Sequence, residues 1–209
     1  MKFSNFEEWE PYYTTILDYF SFDRSKDEEA ATVLSTLLKR DDFSLLAALC
    51  KNHTVTVCGN GPSLTRDLPQ LKGNILAADA ATEVVMTRGI RPDVVFTDLD
   101  GATEMFEEIN REGTIIVVHA HGDNISLIRH WVPKFFGPTV GTTQSKPLPN
   151  VHNFGGFTDG DRAVFAAHAL GARKVNLIGF DLDDFSVDPV KRGKLMWARR
   201  LLELLGYEI

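Results

Sequence analysis

Cysteine is scarce in this sequence: of 209 residues, only Cys50 and Cys58 carry a thiol. Two thiols cannot build a disulfide framework, so a reducing cytoplasm is the expected location. Positive charge is also short, with 22 Lys and Arg against 29 Asp and Glu and a formal net charge of -7. A nucleic-acid backbone needs a basic surface, and this balance argues against one as the main partner. A nucleotide is still admissible, because backbone amides, a few cations and a bound metal can handle its phosphates. No segment approaches the roughly 18 uninterrupted apolar residues of a membrane span. Met1-Lys2-Phe3 leads into acidic sequence and not into a signal peptide. Neither a Walker loop nor G-x-G-x-x-G is present.

What is there falls into two regions. Residues 1–50 read as an N-terminal helical region. In "FEEWEPYYTTILDYF", Trp9, Tyr13, Ile16, Leu17 and Phe20 recur near helical spacing, and Pro11 is early enough to be tolerated. A second helix runs from Asp23 or Ser25 to Cys50 with Val33, Leu34, Leu37, Leu38, Leu45 and Leu46 as its apolar stripe and a break near Asp41-Asp42. From residue 51 to 209 the pattern changes. "HTVTVCG", "GNILAADAA", "PDVVFTD", "GTIIVVHAHG" and "KVNLIGFD" are short apolar runs with helix-compatible stretches between several of them. Such alternation predicts an α/β fold, a Rossmann-like parallel sheet with helices on both faces. Residues 133–160, rich in proline and glycine, read as an irregular excursion, a hairpin or lid. "DPVKRGKLMWARRLLELL" closes the chain as a helix with Asp188 as N-cap and Pro189 in its first turn.

In such sheets ligands bind at the carboxyl ends of the strands. The residues closing each run should therefore converge: the "GNGPS" loop, Asp79, Asp98 with Asp100, His119 to Asn124, and Asp181 to Asp184. Gly59, Asn60, Gly61, Pro62 and Ser63 form a loop whose glycines let a backbone approach a ligand, while Ser63 and the amides after it suit phosphate. An ordinary tight turn explains the same glycines. Cys58 reads as strand-end packing. Asp98 and Asp100 lie two residues apart, on one side of a strand and roughly 6.5–7 Å from each other. One such Asp is explained by a helix N-cap, but a pair favours a hard cation such as Mg²⁺ held together with substrate phosphates. Asp123 in "HAHGDN" is placed to complete the ligand set. His119 and His121 alternate to one side there, but no third nitrogen or sulfur ligand has the spacing for zinc. In "GGFTDGDRAV", Phe157, Thr158, Asp159 and Asp161 open a helix. A cap needs one of these side chains; the others can present carboxylates to the amino edge of a heterocycle. His168 reads as packing, and the five cations from Lys191 to Arg200 as a solvated face, with Lys194 the exception.

Taken in order, "GNGPSL", "AADAA", "RPDVVFTDLDG", "VVHAHGDN", "GGFTDGDRAV" and "LIGFDL" resemble the archaeal 6-hydroxymethyl-7,8-dihydropterin pyrophosphokinase family over roughly residues 50–185. The arrangement is also similar to thiamine pyrophosphokinases, from which it departs at Gly101 and in lacking a full acidic cluster around Asp123. The resemblance implies an enzyme that moves pyrophosphate from ATP to a reduced pterin alcohol and releases AMP. It implies Asp98, Asp100 and Asp123 as catalytic magnesium ligands, the "GNGPS" loop with Asp79 on the ATP side, and Phe157, Thr158, Asp159 and Asp161 on the pterin side. Partners are then ATP and the pterin, with no nucleic acid or membrane, and a homo-oligomer is left open. Two rivals remain at this stage. The letters of "DLDG" also open a haloacid-dehalogenase-type phosphatase motif, and a non-catalytic nucleotide-binding module would share these loops.

Overall fold

The computed structural model describes Phe3 and residues 5–209. Met1 and Lys2, on which the reading of the leader rests, lie outside the described residues. Helices α1 (Phe6–Phe20), α2 (Arg24–Leu37) and α3 (Phe43–Cys50) precede the first strand, β1 (Thr54–Cys58). The chain then runs through α4 (Leu64–Asp67), β2 (Asn74–Ala78), α5 (Ala81–Met86), β3 (Val94–Thr97), α6 (Glu104–Arg111), β4 (Ile115–Ala120) and α7 (Ile125–Trp131). It closes with β5 (Thr139–Thr143), β6 (Val151–His152), α8 (Asp159–Ala169), β7 (Lys174–Ile178) and α9 (Pro189–Leu204). No helix among the described residues is long and apolar enough to cross a membrane.

Among the described residues, seven strands join one sheet in the order β6-β5-β4-β3-β2-β1-β7, and every pairing between them is parallel. Strands β1 to β4 are largely buried on both sides, which is why their sequences read as apolar runs and not as alternation. Parity divides the side chains between the faces. Val95, Ile116 and Val118 pack with Ala30, Ala31 and Leu34 of α2, Phe106 and Ile109 of α6, and Ile128 of α7. Val94, Phe96, Ile115 and Val117 pack with Leu46 of α3 and Ala163, Val164, Ala166 and Ala167 of α8. Outside α8 lies a further apolar layer, in which Trp9, Tyr13, Ile16 and Leu17 of α1 meet Phe165 of α8 and Trp197 and Leu201 of α9.

The five predicted strand runs are β1, β2, β3, β4 and β7, and the predicted break at Asp41-Asp42 separates α2 from α3. Two expectations change. Leu45, assigned to the apolar stripe, is among the exposed large hydrophobics, because α3 turns Leu46 and Cys50 inward instead. Residues 133–160 are more regular than expected: they contribute β5, parallel to β4, and β6, parallel to β5, with a tight turn closed by an antiparallel Leu148–Val151 bridge and with Gln144 and Phe157 on the cavity wall. The sequence of β5, "TVGTT", hides this role, since its Thr side chains are buried despite their polarity. A β-carbon at Gly141 would stand 2.6 Å from Leu38, the C-cap of α2, and 3.2 Å from Leu34, so glycine there admits the helix end.

The turn into β5 depends on Asn110, which is fully buried at the end of α6. Its amide donates to the carbonyls of Pro138 (2.8 Å) and Thr114 (3.3 Å), and its oxygen accepts the Gly137 N–H (2.8 Å). Removing these partners leaves backbone groups unsatisfied in a dry place. Asn110→Ala should therefore destabilise the protein by about 2–4 kcal/mol. Urea unfolding should show a lower midpoint at unchanged slope, and an unchanged midpoint would mean that water replaces the side chain.

Candidate active site

Strand order reverses at β1: the chain steps outward from β1 to β6, then α8 carries it back so that β7 lies on the other flank of β1. A crevice at the carboxyl ends of the strands is the expected binding place in such a sheet, and a cavity of about 290 Å³ lies there. Its walls take residues from the loops after β1, β2, β3, β4, β5 and β7, from the start of α8, and from α2 and α9.

Three carboxylates meet in it. Ligand oxygens of Asp79, Asp98 and Asp100 all lie within 4.8 Å of one another. The strand spacing expected for Asp98 and Asp100 does not hold, because β3 stops at Thr97. Leu99 takes a left-handed conformation (φ 74°) and donates its N–H to Thr97 Oγ1 (2.8 Å), while the Asp100 N–H reaches Asp98 Oδ1 (3.2 Å). The chain thus folds back at once and brings the two side chains together. Asp79 also sits at positive φ (41°), with Thr97 Oγ1 donating to its Oδ1 at 2.6 Å. Asn124 fixes the next loop by donating to the carbonyls of Asp98 (2.7 Å) and His119 (2.6 Å).

The third member of the cluster is thus Asp79, not Asp123. Asp123 lines the cavity but is exposed and stands outside the group. Its loop instead brings His121 to Asp98, with Nε2 3.4 Å from Oδ2. Burial opposes ionisation of Asp98, yet the His121 ring and the Asp100 N–H hold it well below the usual carboxylate range. Burial and the neighbouring Asp98 push Asp100 up. His119 is buried with Nδ1 3.2 Å from Thr142 Oγ1, and burial drives it toward the neutral ring. Neither histidine belongs to the carboxylate cluster.

The "GNGPS" loop borders the cavity through Gly59, Asn60, Gly61 and Pro62, and its glycines are packed against the segment that follows β7. A β-carbon at Gly59 would stand 2.6 Å from the Gly179 carbonyl oxygen, and one at Gly61 only 2.2 Å from Asp181 Oδ2. Most of the amides of this loop are engaged too, that of Asn60 excepted. Gly59 donates to Ile178, Gly61 to Gly179 and Leu64 to Gly61. The Ser63 N–H and hydroxyl both reach Asp181 Oδ2, at 2.8 and 2.7 Å. Both donors of Ser63 are thus engaged by an internal carboxylate. Cys58 is buried and its thiol is pushed up to about 12, which agrees with a packing role.

At the start of α8 the two aspartates part company. Asp161 is fully buried and accepts from the N–H groups of Phe157 (2.8 Å) and Thr158 (2.6 Å) and from the Thr158 hydroxyl, completing a capping box. It does not reach the cavity wall. Phe157, Thr158 and Asp159 do. Burial and the charge of Asp98 push Asp159 well up, opposed by Arg162, whose Nη1 lies 3.2 Å from its Oδ1.

Arg162 belongs to a chain of contacts that crosses the site. Its Nη2 lies 3.3 Å from Gln144 Oε1, and Gln144 Nε2 donates to Asp27 Oδ2 at 2.7 Å. Asp27 also accepts from Tyr13 (2.7 Å) and from the Gly122 N–H (2.8 Å), so one buried carboxylate ties α1, α2 and two site loops together. Sequence reading missed these three residues. Asp27 left a trace, since it stands in phase with Ala30, Ala31 and Leu34 on the buried stripe of α2, where an acid is out of place. Arg162 follows Asp159 by one helical turn, and Gln144 left no signal.

The family profile described as "6-hydroxymethylpterin diphosphokinase MptE-like" matches residues 28–186. Three curated relatives carry the name 6-hydroxymethyl-7,8-dihydropterin pyrophosphokinase. The protein of Methanothermobacter thermautotrophicus is 40% identical over 94% of this chain and 93% of its own length. That of Methanocaldococcus jannaschii is 36% identical over 97% and 96%. That of Pyrococcus furiosus is 38% identical over 95% and 93%.

Burial and the charges of Asp100 and Asp98 push Asp79 up to about 6 from an ordinary value of 3.8, against the Thr97 hydroxyl bond. The folded chain holds this proton more tightly than the unfolded one. The stability it contributes is present below the unfolded value and lost as pH rises through about 6, up to about 3 kcal/mol. Asp79→Asn, which stays neutral, should raise Tm by a few degrees at pH 7.5 in chelator and change little near pH 4. Magnesium chloride should raise Tm of the parent at pH 7.5 and not that of the variant. Identical Tm-versus-pH curves would take Asp79 out of the titrating cluster.

Proposed function

The chain belongs to the MptE-like 6-hydroxymethylpterin diphosphokinase family, and on that premise we propose that it transfers pyrophosphate from ATP to 6-hydroxymethyl-7,8-dihydropterin. The product would be the pterin diphosphate, AMP would leave, and Mg²⁺ would be held by Asp79, Asp98 and Asp100. The observation that carries this reading is the convergence of that triad with Asp159 on one cavity at the switch point of the sheet.

The donor set fits the ion: three carboxylates in a small cluster suit a hard cation that keeps other positions for phosphate oxygens. When bound, Mg²⁺ would neutralise charge on the phosphates during transfer. The chain's own part is positioning. The hydroxymethyl oxygen attacks the β-phosphorus, a new O–P bond forms, and the bond from that phosphorus to the α-bridging oxygen breaks. AMP departs with the bridging oxygen, and the hydroxyl proton passes to a site carboxylate or to solvent. Asp159 would accept the N–H and amino donors of the pyrimidine edge. Those two donors would offset the desolvation that now pushes its carboxyl up. Phe157, buried at the same helix start, would lie against the flat ring.

The direct test is incubation with ATP and Mg²⁺ plus either the reduced pterin alcohol or thiamine, with AMP as the readout. AMP is expected with the pterin only. Asp98→Asn and Asp100→Asn should each lower kcat by about 10²-fold or more while circular dichroism shows the fold retained. Asp159→Ala should raise the pterin KM by about tenfold, within the roughly 1–3 kcal/mol of an unpaired buried donor, and leave the ATP KM alone. Pterin KM unchanged in that variant would move the pterin end elsewhere.

A further inference from the structure

The loop after β1 offers few free donors to phosphates that enter this cavity, so positive charge on the other walls matters. That loop has spent its amides on β7 and Asp181, leaving the Asn60 amide as the one without a chain partner among the described residues. The carboxylate triad binds phosphate only through a cation, and a triphosphate carries more charge than one divalent ion cancels. The remaining positive charge on the walls comes from Arg162, Lys26, Lys191 and Lys194. Arg162 is engaged with Asp159 and Gln144.

Helix α9 sorts its cations by face. Arg192 donates to the Phe185 carbonyl (2.8 Å), Arg199 pairs with Asp183 (2.7 Å), and Arg200 lies over the Trp197 ring (5.2 Å). Lys191 and Lys194, three residues apart, line the cavity instead, and neither ammonium has a hydrogen-bond or ion-pair partner among the described residues. Lys194 is half-buried, where an unpaired ammonium is unfavourable until an anion arrives. The rotation of the helix is fixed by Gly193 between them, whose β-carbon position stands 3.2 Å from the Phe20 ring and 3.3 Å from the Tyr19 ring of α1. The charge of Lys194 also reaches Asp100, whose carboxyl it helps to ionise.

We propose that Lys194, seconded by Lys191, binds the β- and γ-phosphate oxygens of the donor from the α9 wall, alongside the cation held by the carboxylate triad. The transferred group then meets two sources of positive charge, one held by the loops after β2 and β3 and one on the last helix. This rests on the reading that a nucleoside triphosphate is the donor.

Calorimetry separates the two ideas, using Mg·ATP and AMP as probes without any pterin. Lys194→Met should weaken Mg·ATP binding by about tenfold or more and leave AMP binding within about twofold. Lys194→Arg should recover much of the loss. Arg199→Met, on the same helix but paired with exposed Asp183, should bind Mg·ATP like the parent. Circular dichroism melts of all three check that α9 stays folded. Lys194→Met binding Mg·ATP as tightly as the parent overturns the proposal, and so does an equal loss of AMP affinity. A parent that binds Mg·ATP through Lys194 yet releases no AMP with the pterin would leave this clamp standing and sink the assignment of the acceptor.

Discussion

Like charges at close range are costly when water is partly excluded, and the carboxyl edge of this sheet gathers four of them. Two unit charges 4.8 Å apart repel by on the order of 3 kcal/mol at an effective dielectric near 20, and by less at exposed Asp100. Asp79, Asp98, Asp100 and Asp159 live with this by unequal titration. His121 and a backbone N–H keep Asp98 ionised, while burial and repulsion push the other three toward the neutral acid. Arg162 is the buried cation that faces them, and its own orientation depends on Gln144 and so on Asp27. An edge built this way has a standing demand for positive charge. The positioning of the first two helices, through Tyr13 and Asp27, is part of how the edge is held in place.

The pairing of β1 with β7 shows how one glycine-rich loop can be read two ways. Glycines after a strand suggest a backbone bared for phosphate, and the same letters are needed when two parallel loops run against each other. Gly59 and Gly179 are in that situation: a β-carbon on either would stand under 3.0 Å from the other's carbonyl oxygen. Asp181 completes the seal by taking both donors of Ser63.

Legibility in the sequence followed the range of the interactions involved. The five strands with continuous apolar runs and the end helices were visible because burial on both faces imposes a local pattern. β5 and β6 were not, since their burial comes from neighbours and not from their own composition. The aspartates after β2 and β3 were visible as chemistry, but their grouping was not. Asp79 displaced Asp123 because two left-handed residues, Asp79 and Leu99, bend the chain at points no residue-type rule marks. Asp159 and Asp161 looked equivalent, and only the capping box told them apart. "DLDG" by itself fits a phosphatase motif equally well; the order of the other loops separated the two readings.

The position of β7 has a bearing on how the chain is made. β1 emerges early and acquires β2 on one flank within a few tens of residues, but its other flank stays bare until Lys174–Ile178 is synthesised, more than a hundred residues later. At roughly 5–20 residues per second, that interval takes several seconds or more, during which a β1 that had already paired with β2 would present an open parallel edge. Such an edge is a template for pairing with the wrong chain. The loop that later seals β1 to β7, rich in glycine and interrupted by Pro62, directly follows this strand and is a poor continuation of any foreign β-ladder.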